Sequence, residues 1–203
     1  MDNMIRKSPY VVMFAVLMFA GCGTSPPVHY YGLDTIDIRY TQDAEGSPVL
    51  VLGPFRMPEY LNRSQMVTRG SGTEMIVDDG SRWAEPLDNS IHRILASNLD
   101  SLLESMIVVA YPATTLLEVD YRLVGRIDRF SSGQDGQIIL EVQWGATDVE
   151  GGMLVAPRRS RYESQAAVPG DPGSVALAMS DALAQFSRDI ASELESGGFE
   201  QTD

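Results

Sequence analysis

The stretch that decides the fold is YRLVGRIDRFSSGQDGQIILEVQW, residues 121–144. Tyr121 to Phe130 alternates apolar with polar positions, and Ile138, Leu140, Val142 and Trp144 resume the alternation. A period of two marks a strand with one buried and one wet face. Ser131 to Gly136 between them is a turn by composition, so the two runs form an antiparallel pair. Outward toward the C-terminus, Glu150-Gly151-Gly152 makes a second turn, and Met153 to Val168 returns as a long strand with an exposed middle, PRRSRYES. Asp171 is then a good N-cap, followed by Pro172 at the first helical position. Val175, Met179, Ala182, Leu183, Phe186, Ile190 and Leu194 hold a helical period until Gly197-Gly198 stops it.

Outward in the other direction, Leu87, Ile91, Ile94, Leu95, Asn98, Leu102 and Met106 recur at three and four. They predict an amphipathic helix of about five turns, with Pro86 in its first turn. Ile107 to Ala110 is a short strand ended by Pro112. Val49 to Met57 reads as a strand buried on both faces, Tyr30 to Leu33 as the first strand, and residues 34–47 mostly as loop. Gln65–Arg69 and Glu74–Val77 lean toward strand, with Asp78-Asp79-Gly80-Ser81 as a turn. The expected fold class is α+β: a single domain over residues 30–198, largely antiparallel, with two amphipathic helices packed on one face of the sheet.

The first residues set the compartment. Arg6 and Lys7 precede an apolar run, YVVMFAVLMFA at 10–20, which falls short of the roughly 20 residues that span a bilayer and suits a secretory leader. Phe19-Ala20-Gly21-Cys22 resembles a bacterial lipobox, with Phe19 where leucine is usual. We therefore expect residues 1–21 to be a lipoprotein signal peptide and Cys22, the only cysteine, to carry diacylglycerol and an N-acyl chain. An unpaired thiol in an exported chain needs such an explanation. Gly23, in place of an aspartate that favours inner-membrane retention, implies the periplasmic face of the outer membrane. Residues 22–29 are the lipidated cysteine and tether. Residues 23–28 extend at most roughly 20 Å, so the domain stays near its membrane. Residues 199–203 are expected to be a disordered tail.

Of 15 basic and 28 acidic residues, the leader takes Arg6, Lys7 and Asp2, leaving 13 against 27. Such an acidic domain is a poor partner for nucleic acid. The search for chemistry is brief. Two histidines, no cysteine beyond Cys22 and no lysine beyond Lys7 leave no cysteine nucleophile and no Walker A. His92 suits a packing or surface role, and Asp78-Asp79 suits a turn. No ligand cluster has metal spacing, and no cofactor is expected beyond the covalent lipid. The chain reads as a non-enzyme.

What remains is recognition. EYLNRSQMVTRG, residues 59–70, concentrates arginines, amides and an aromatic after Pro54 and Pro58. Arg63, Gln65 and Arg69 share one parity, so an extended segment points them to one face. Tyr60 and Leu61 are expected on the core, Asn62 to Gln65 in a tight turn, and Arg63 or Arg69 paired with Glu85. Two readings of Tyr60, Arg63, Gln65, Arg69, Trp83 and Glu85 stand: a cluster joining a hairpin to the helix start, or a contact with a neighbouring subunit or partner.

This segment, with Tyr30-Tyr31-Gly32-Leu33, Gly53-Pro54, RWAEPL at 82–87 and Trp144, resembles the PqiC/YmbA-type lipoproteins, also described as ABC-type transport auxiliary lipoproteins. Asn62 and Ser64 stand where that family's pattern has Asp and Pro. The resemblance runs in order along nearly the whole mature chain. It implies an accessory of systems in which an MCE-domain protein, anchored in the inner membrane, forms a tube across the periplasm. The lipoprotein would receive the tube's far end at the outer membrane, as a homo-oligomeric ring. The alternatives are a lipid-binding carrier, with a pocket between the meander and both helices, or a general envelope scaffold.

Overall fold

The computed structural model describes residues 26–36, 46–112 and 118–196. The leader, Cys22, the Gly197-Gly198 stop and the tail lie outside them.

The meander of residues 121–165 forms the backbone of the fold. Strands β6 (Tyr121–Gly133), β7 (Gln137–Asp148) and β8 (Met153–Gln165) pair antiparallel in sequence order. On β7 the side chains of Ile138, Leu140, Val142, Trp144 and Ala146 are all buried. Their alternation with Gln137, Glu141 and Gln143 is the pleat that the sequence displays. Before the meander come β1 (His29–Tyr31), β2 (Val49–Arg56), β3 (Gln65–Arg69), β4 (Met75–Trp83), helix α1 (Leu87–Leu102) and β5 (Ile107–Ala110). Helix α2 (Pro172–Ser196) ends the described chain.

All eight strands make one mixed sheet. Its long ladders are antiparallel, and its parallel pairings are the shorter ones, β1–β4, β2–β5, β2–β6 and β3–β6. The edge of β6 opposite β7 is shared. Its first half holds β2, with Arg56 opposite Arg126, and its end holds β3, with Thr68 opposite Ser132. The sheet therefore forks beyond β6 into a β2–β5 branch and a β3–β4–β1 branch.

Both helices cover one face, α2 over β6–β8 and α1 over β2 and β5, and they pack on each other. Asp171 caps α2 as expected, its Oδ2 accepting from Ser174 N at 2.7 Å. Helix α1 stops at Leu102, short of the predicted Met106. The chain turns at Leu103, yet Leu103 and Met106 stay buried, so the apolar period outlasts the helix. The α+β expectation holds in a single domain.

Phe186, fully buried on α2, is the centre of the core. Its ring lies 5.9 Å from Phe55, 5.7 Å from Trp144 and 5.4 Å from Tyr162. Tyr162 reaches across from β8 and donates its hydroxyl to Asp189 Oδ2 at 2.5 Å. Burial, and then that bond, push the phenol's pKa up. Arg158 ties the same strand to α2 through Glu193 at 2.5 Å. Between the two helices Asn98, also fully buried, accepts from Ile36 N at 3.0 Å and donates to Ser187 Oγ at 3.2 Å.

His92 is a packing histidine. Phe55 N donates to its Nε2 at 2.9 Å, which leaves Nδ1 to donate to Asp88 O at 2.7 Å. The ring lies against Gly53, whose φ is +104°, and an added Cβ would come within 2.8 Å of His92 Cδ2. Gly53→Ala is expected to cost about 2 kcal/mol or more, from φ strain and from displacing His92. Urea unfolding checks it; an unchanged midpoint would mean that the strand rearranges freely.

Candidate functional site

Two surfaces qualify, the hairpin corner marked by EYLNRSQMVTRG and the face of the sheet that neither described helix covers.

At the corner, β2 ends at Arg56 and Pro58 opens a single 3-10 turn, Glu59–Leu61. Leu61 is buried and Tyr60 packs against the core, as expected. Asn62 to Ser64 are exposed, and β3 begins at Gln65. Trp83 N donates to Ser64 O at 2.7 Å and Gln65 pairs with Arg82, but Met66 then pairs with Asp78. Asp79, Gly80 and Ser81 thus bulge out of β4. The expected Asp78–Ser81 turn is this bulge: Asp78 Oδ1 accepts from Gly80 N at 2.9 Å, the local bond an Asx turn makes, within a continuing strand.

The corner encloses a shallow hollow of about 350 Å³, lined by Asn62, Arg63, Ser64, Trp83, Glu85 and Pro86, with Ala84. It brings together Arg63, Trp83 and Glu85 of the predicted cluster. Tyr60 packs on the core and Gln65 opens β3, neither lining the hollow, while Arg69 sits at the far end of β3, opposite Gly133. The expected pairing of Glu85 with Arg63 or Arg69 is corrected. Glu85 Oε1 instead accepts from Arg93 Nη2 at 2.5 Å and from Nε at 3.1 Å, because α1 begins at Leu87 and its second turn brings Arg93 back over Glu85. Arg93 lowers the Glu85 pKa through that bond. Among the described residues neither Arg63 nor Arg69 has an ion pair. Tyr60 Oη, Arg69 Nε and Arg82 Nε are buried with no hydrogen bond among the described residues.

The helix-free face carries a charged lattice and an apolar groove. Arg126 meets Asp128 at 2.7 Å, and Gln143 Nε2 donates to the other Asp128 oxygen at 2.7 Å. Gln143 first, then Arg126, hold the Asp128 carboxyl below its usual pKa. Arg161 bridges Glu141 at 2.6 Å and Glu163 at 2.7 Å. Beside this lattice a groove of about 460 Å³ is lined by Pro54, Arg56, Val124, Arg126, Met153 and Val155, among others. A pocket between the meander and both helices, expected for a carrier, is not where this groove lies; Phe130, Phe186, Leu140 and Leu183 fill the helix side. The sequence carried one signal for the groove, Gly145 inside an alternating strand.

Among the described residues no three histidine, cysteine or carboxylate side chains gather as metal ligands, and no helix is long and apolar enough to cross a membrane.

Comparison with known proteins agrees with the geometry. The chain is 25% identical over 137 residues to the intermembrane transport lipoprotein PqiC of Escherichia coli (strain K12), covering 66% of this chain and 72% of that one. Two solved structures share the fold. One, of an uncharacterized protein, has a TM-score of 0.69 at 22% identity and covers 83% of this chain and 99% of its own. The other, from Xanthomonas campestris, has a TM-score of 0.65 at 17% identity, covering 84% and 100%. A family model described as "ABC-type transport auxiliary lipoprotein component" matches residues 31–191, which span both candidate surfaces. The chain belongs to the ABC-type transport auxiliary lipoprotein family.

Proposed function

We propose that this chain is a non-catalytic accessory of an MCE-type intermembrane transport system, anchored by lipid on Cys22 to the periplasmic face of the outer membrane. There it receives the far end of the MCE tube as a homo-oligomeric ring. The observation that carries this reading is the family match over residues 31–191. The relative named as an intermembrane transport lipoprotein gives it direction. The lipobox and short tether favour a fixed dock over a mobile shuttle, since the domain cannot leave its membrane and the partner must come to it. The hairpin corner offers Arg63 and Trp83 beside a hollow, and arginine and tryptophan are residue types enriched where proteins meet.

The test is crosslinking and native-mass measurement on the full chain, made in a Gram-negative envelope and extracted in mild detergent. A ring-sized homo-oligomer with an MCE protein attached is the expected result. Arg63→Glu is expected to lower the crosslinked yield on the order of tenfold with folding intact, as for reversing a charge at a contact. Cys22→Ser is expected to release the chain from the membrane fraction. A lone monomer that crosslinks to nothing would overturn the docking role.

A further inference from the structure

The groove on the helix-free face has a chemistry of its own. Val124 and Met153 are bulky apolar side chains left 46% and 64% exposed, and both line it. Its depth comes from Gly145 on β7. A Cβ there would stand 3.1 Å from Val155 O and 3.3 Å from Pro157 Cα, so β8 rides close over this point and bulges at its register shift.

Two arginines line the groove side by side. Arg56 and Arg126 are register partners on the parallel strands β2 and β6, and both line the groove. Like charges side by side on a sheet repel. Arg126 is offset by Asp128, but Arg56 has no ion pair among the described residues. In a chain of 15 basic against 28 acidic residues, this is a local reversal of charge beside apolar side chains. An anion seated between the pair would relieve their repulsion, and paired guanidiniums suit phosphate oxygens.

We propose that the groove takes one acyl chain of an anionic phospholipid, with the headgroup phosphate held between Arg56 and Arg126. The volume of about 460 Å³ falls within the roughly 300–1,000 Å³ of small-molecule sites. The proposal deepens the transport reading and rests on it for the nearness of a bilayer, the source of such amphiphiles. The groove itself would make contact with lipid independently of any protein partner.

The chain carries its own probe. Of its two tryptophans, Trp144 sits on β7 at the groove with its ring turned to Phe186 beneath, and Trp83 lies at the hairpin hollow. Bromine on an acyl chain quenches indole fluorescence only on close approach. The full lipidated chain is reconstituted into phosphatidylcholine vesicles that contain a minor fraction of phosphatidylglycerol, with the bromine on one lipid or the other at equal amounts. Trp83→Phe isolates the Trp144 signal; the wild type is read in parallel, with Trp83 as background, in case that variant does not fold.

Quenching by brominated phosphatidylglycerol well above that by the phosphatidylcholine is expected. Changing Arg56→Gln and Arg126→Gln together should weaken it on the order of tenfold, as for loss of charge-assisted bonds. Val124→Glu, at an exposed position, should abolish it by placing a carboxylate in the channel. Equal quenching by both lipids, indifferent to the arginines, would mean only that the domain lies against the bilayer and would overturn the proposal. So would no quenching at all. Flotation reports separately whether the chain stays with the vesicles. If it does not, the anchoring reading fails, and the groove is assayed with dispersed short-chain brominated phosphatidylglycerol. Failure of the partner crosslink leaves this assay untouched.

Discussion

Phe186→Ala is expected to lower the melting temperature on the order of 10 °C, the largest loss that a single truncation should cause here. The side chain is fully buried on α2 and touches rings contributed by three separate strands, Phe55 on β2, Trp144 on β7 and Tyr162 on β8. Truncation removes its apolar surface from the core and leaves a cavity that two long strands and a helix cannot easily close, a cost of about 3–5 kcal/mol. The edge-on contacts with Phe55 and Trp144 add to that loss. Near-ultraviolet circular dichroism should weaken as Trp144 loses its neighbour, while the far-ultraviolet signal persists. Phe186→Leu should recover more than half of the stability. A melting shift for Phe186→Ala of only a degree or two would mean that α2 resettles on the sheet and that the ring cluster is not the fold's centre.

Asn98→Asp should produce the second large effect, and one that depends on pH. Asn98 is fully buried, with Ile36 N donating to its Oδ1 and its Nδ2 donating to Ser187 Oγ. An introduced carboxylate keeps the first bond but can only accept a hydrogen bond from the Ser187 hydroxyl, which at present donates to Leu183 O at 2.9 Å. Burial disfavours the charged form, so the folded-state pKa of the new carboxyl lies above its unfolded value of about 3.9. Below that value both states are protonated, and the variant should approach the wild type. As pH rises toward the folded-state pKa, the unfolded chain gives up the proton first and stability falls. A shift of about 3 units corresponds to a loss of about 4 kcal/mol at neutral pH. Urea unfolding at pH 4.5 and at pH 8 should show the gap between variant and wild type widening with pH. A gap that does not change would place the carboxyl in solvent.

Much of the fold was written in local pattern. The period of two in residues 121–144 gave the meander, and the three-and-four spacing from Leu87 and from Val175 gave both helices. Each signal sits within one element, where side-chain direction follows from backbone geometry alone. The misses share a different cause. Asp78-Asp79-Gly80-Ser81 has the composition of a turn, and only its partner strand shows that it is a bulge, since Gln65 pairs with Arg82 and Met66 with Asp78. Arg63 and Arg69 dominate the local composition across the hairpin, yet neither is the partner of Glu85. Arg93, eight residues on, lay one helical turn inside α1 and faced back. The parallel pairings of β6 with β2 and β3 are long-range and leave no mark in any window of sequence. The corner hollow was half legible, since Arg63, Trp83 and Glu85 meet there while Arg69 does not. The groove was missed because it depends on where β8 crosses Gly145 rather than on the residue types that line it.

The shared edge of β6 sets a limit on length. Arg56 lies opposite Arg126, and Thr68 lies opposite Ser132, so the chain from 56 to 68 spans two fixed points on one strand, roughly 20 Å apart. One residue inserted there and not looped out at exposed Asn62 to Ser64 would slide β3 along β6 by a step and swap the faces of Met66 and Arg69. The segment that first stood out for its arginines thus also acts as a ruler. Substitutions within it change chemistry and leave the frame standing, whereas a change in residue count carried into β3 would displace β3, β4 and β1 together. Descendants of this sequence should therefore vary in what residues 57–64 are, and hardly at all in how many there are.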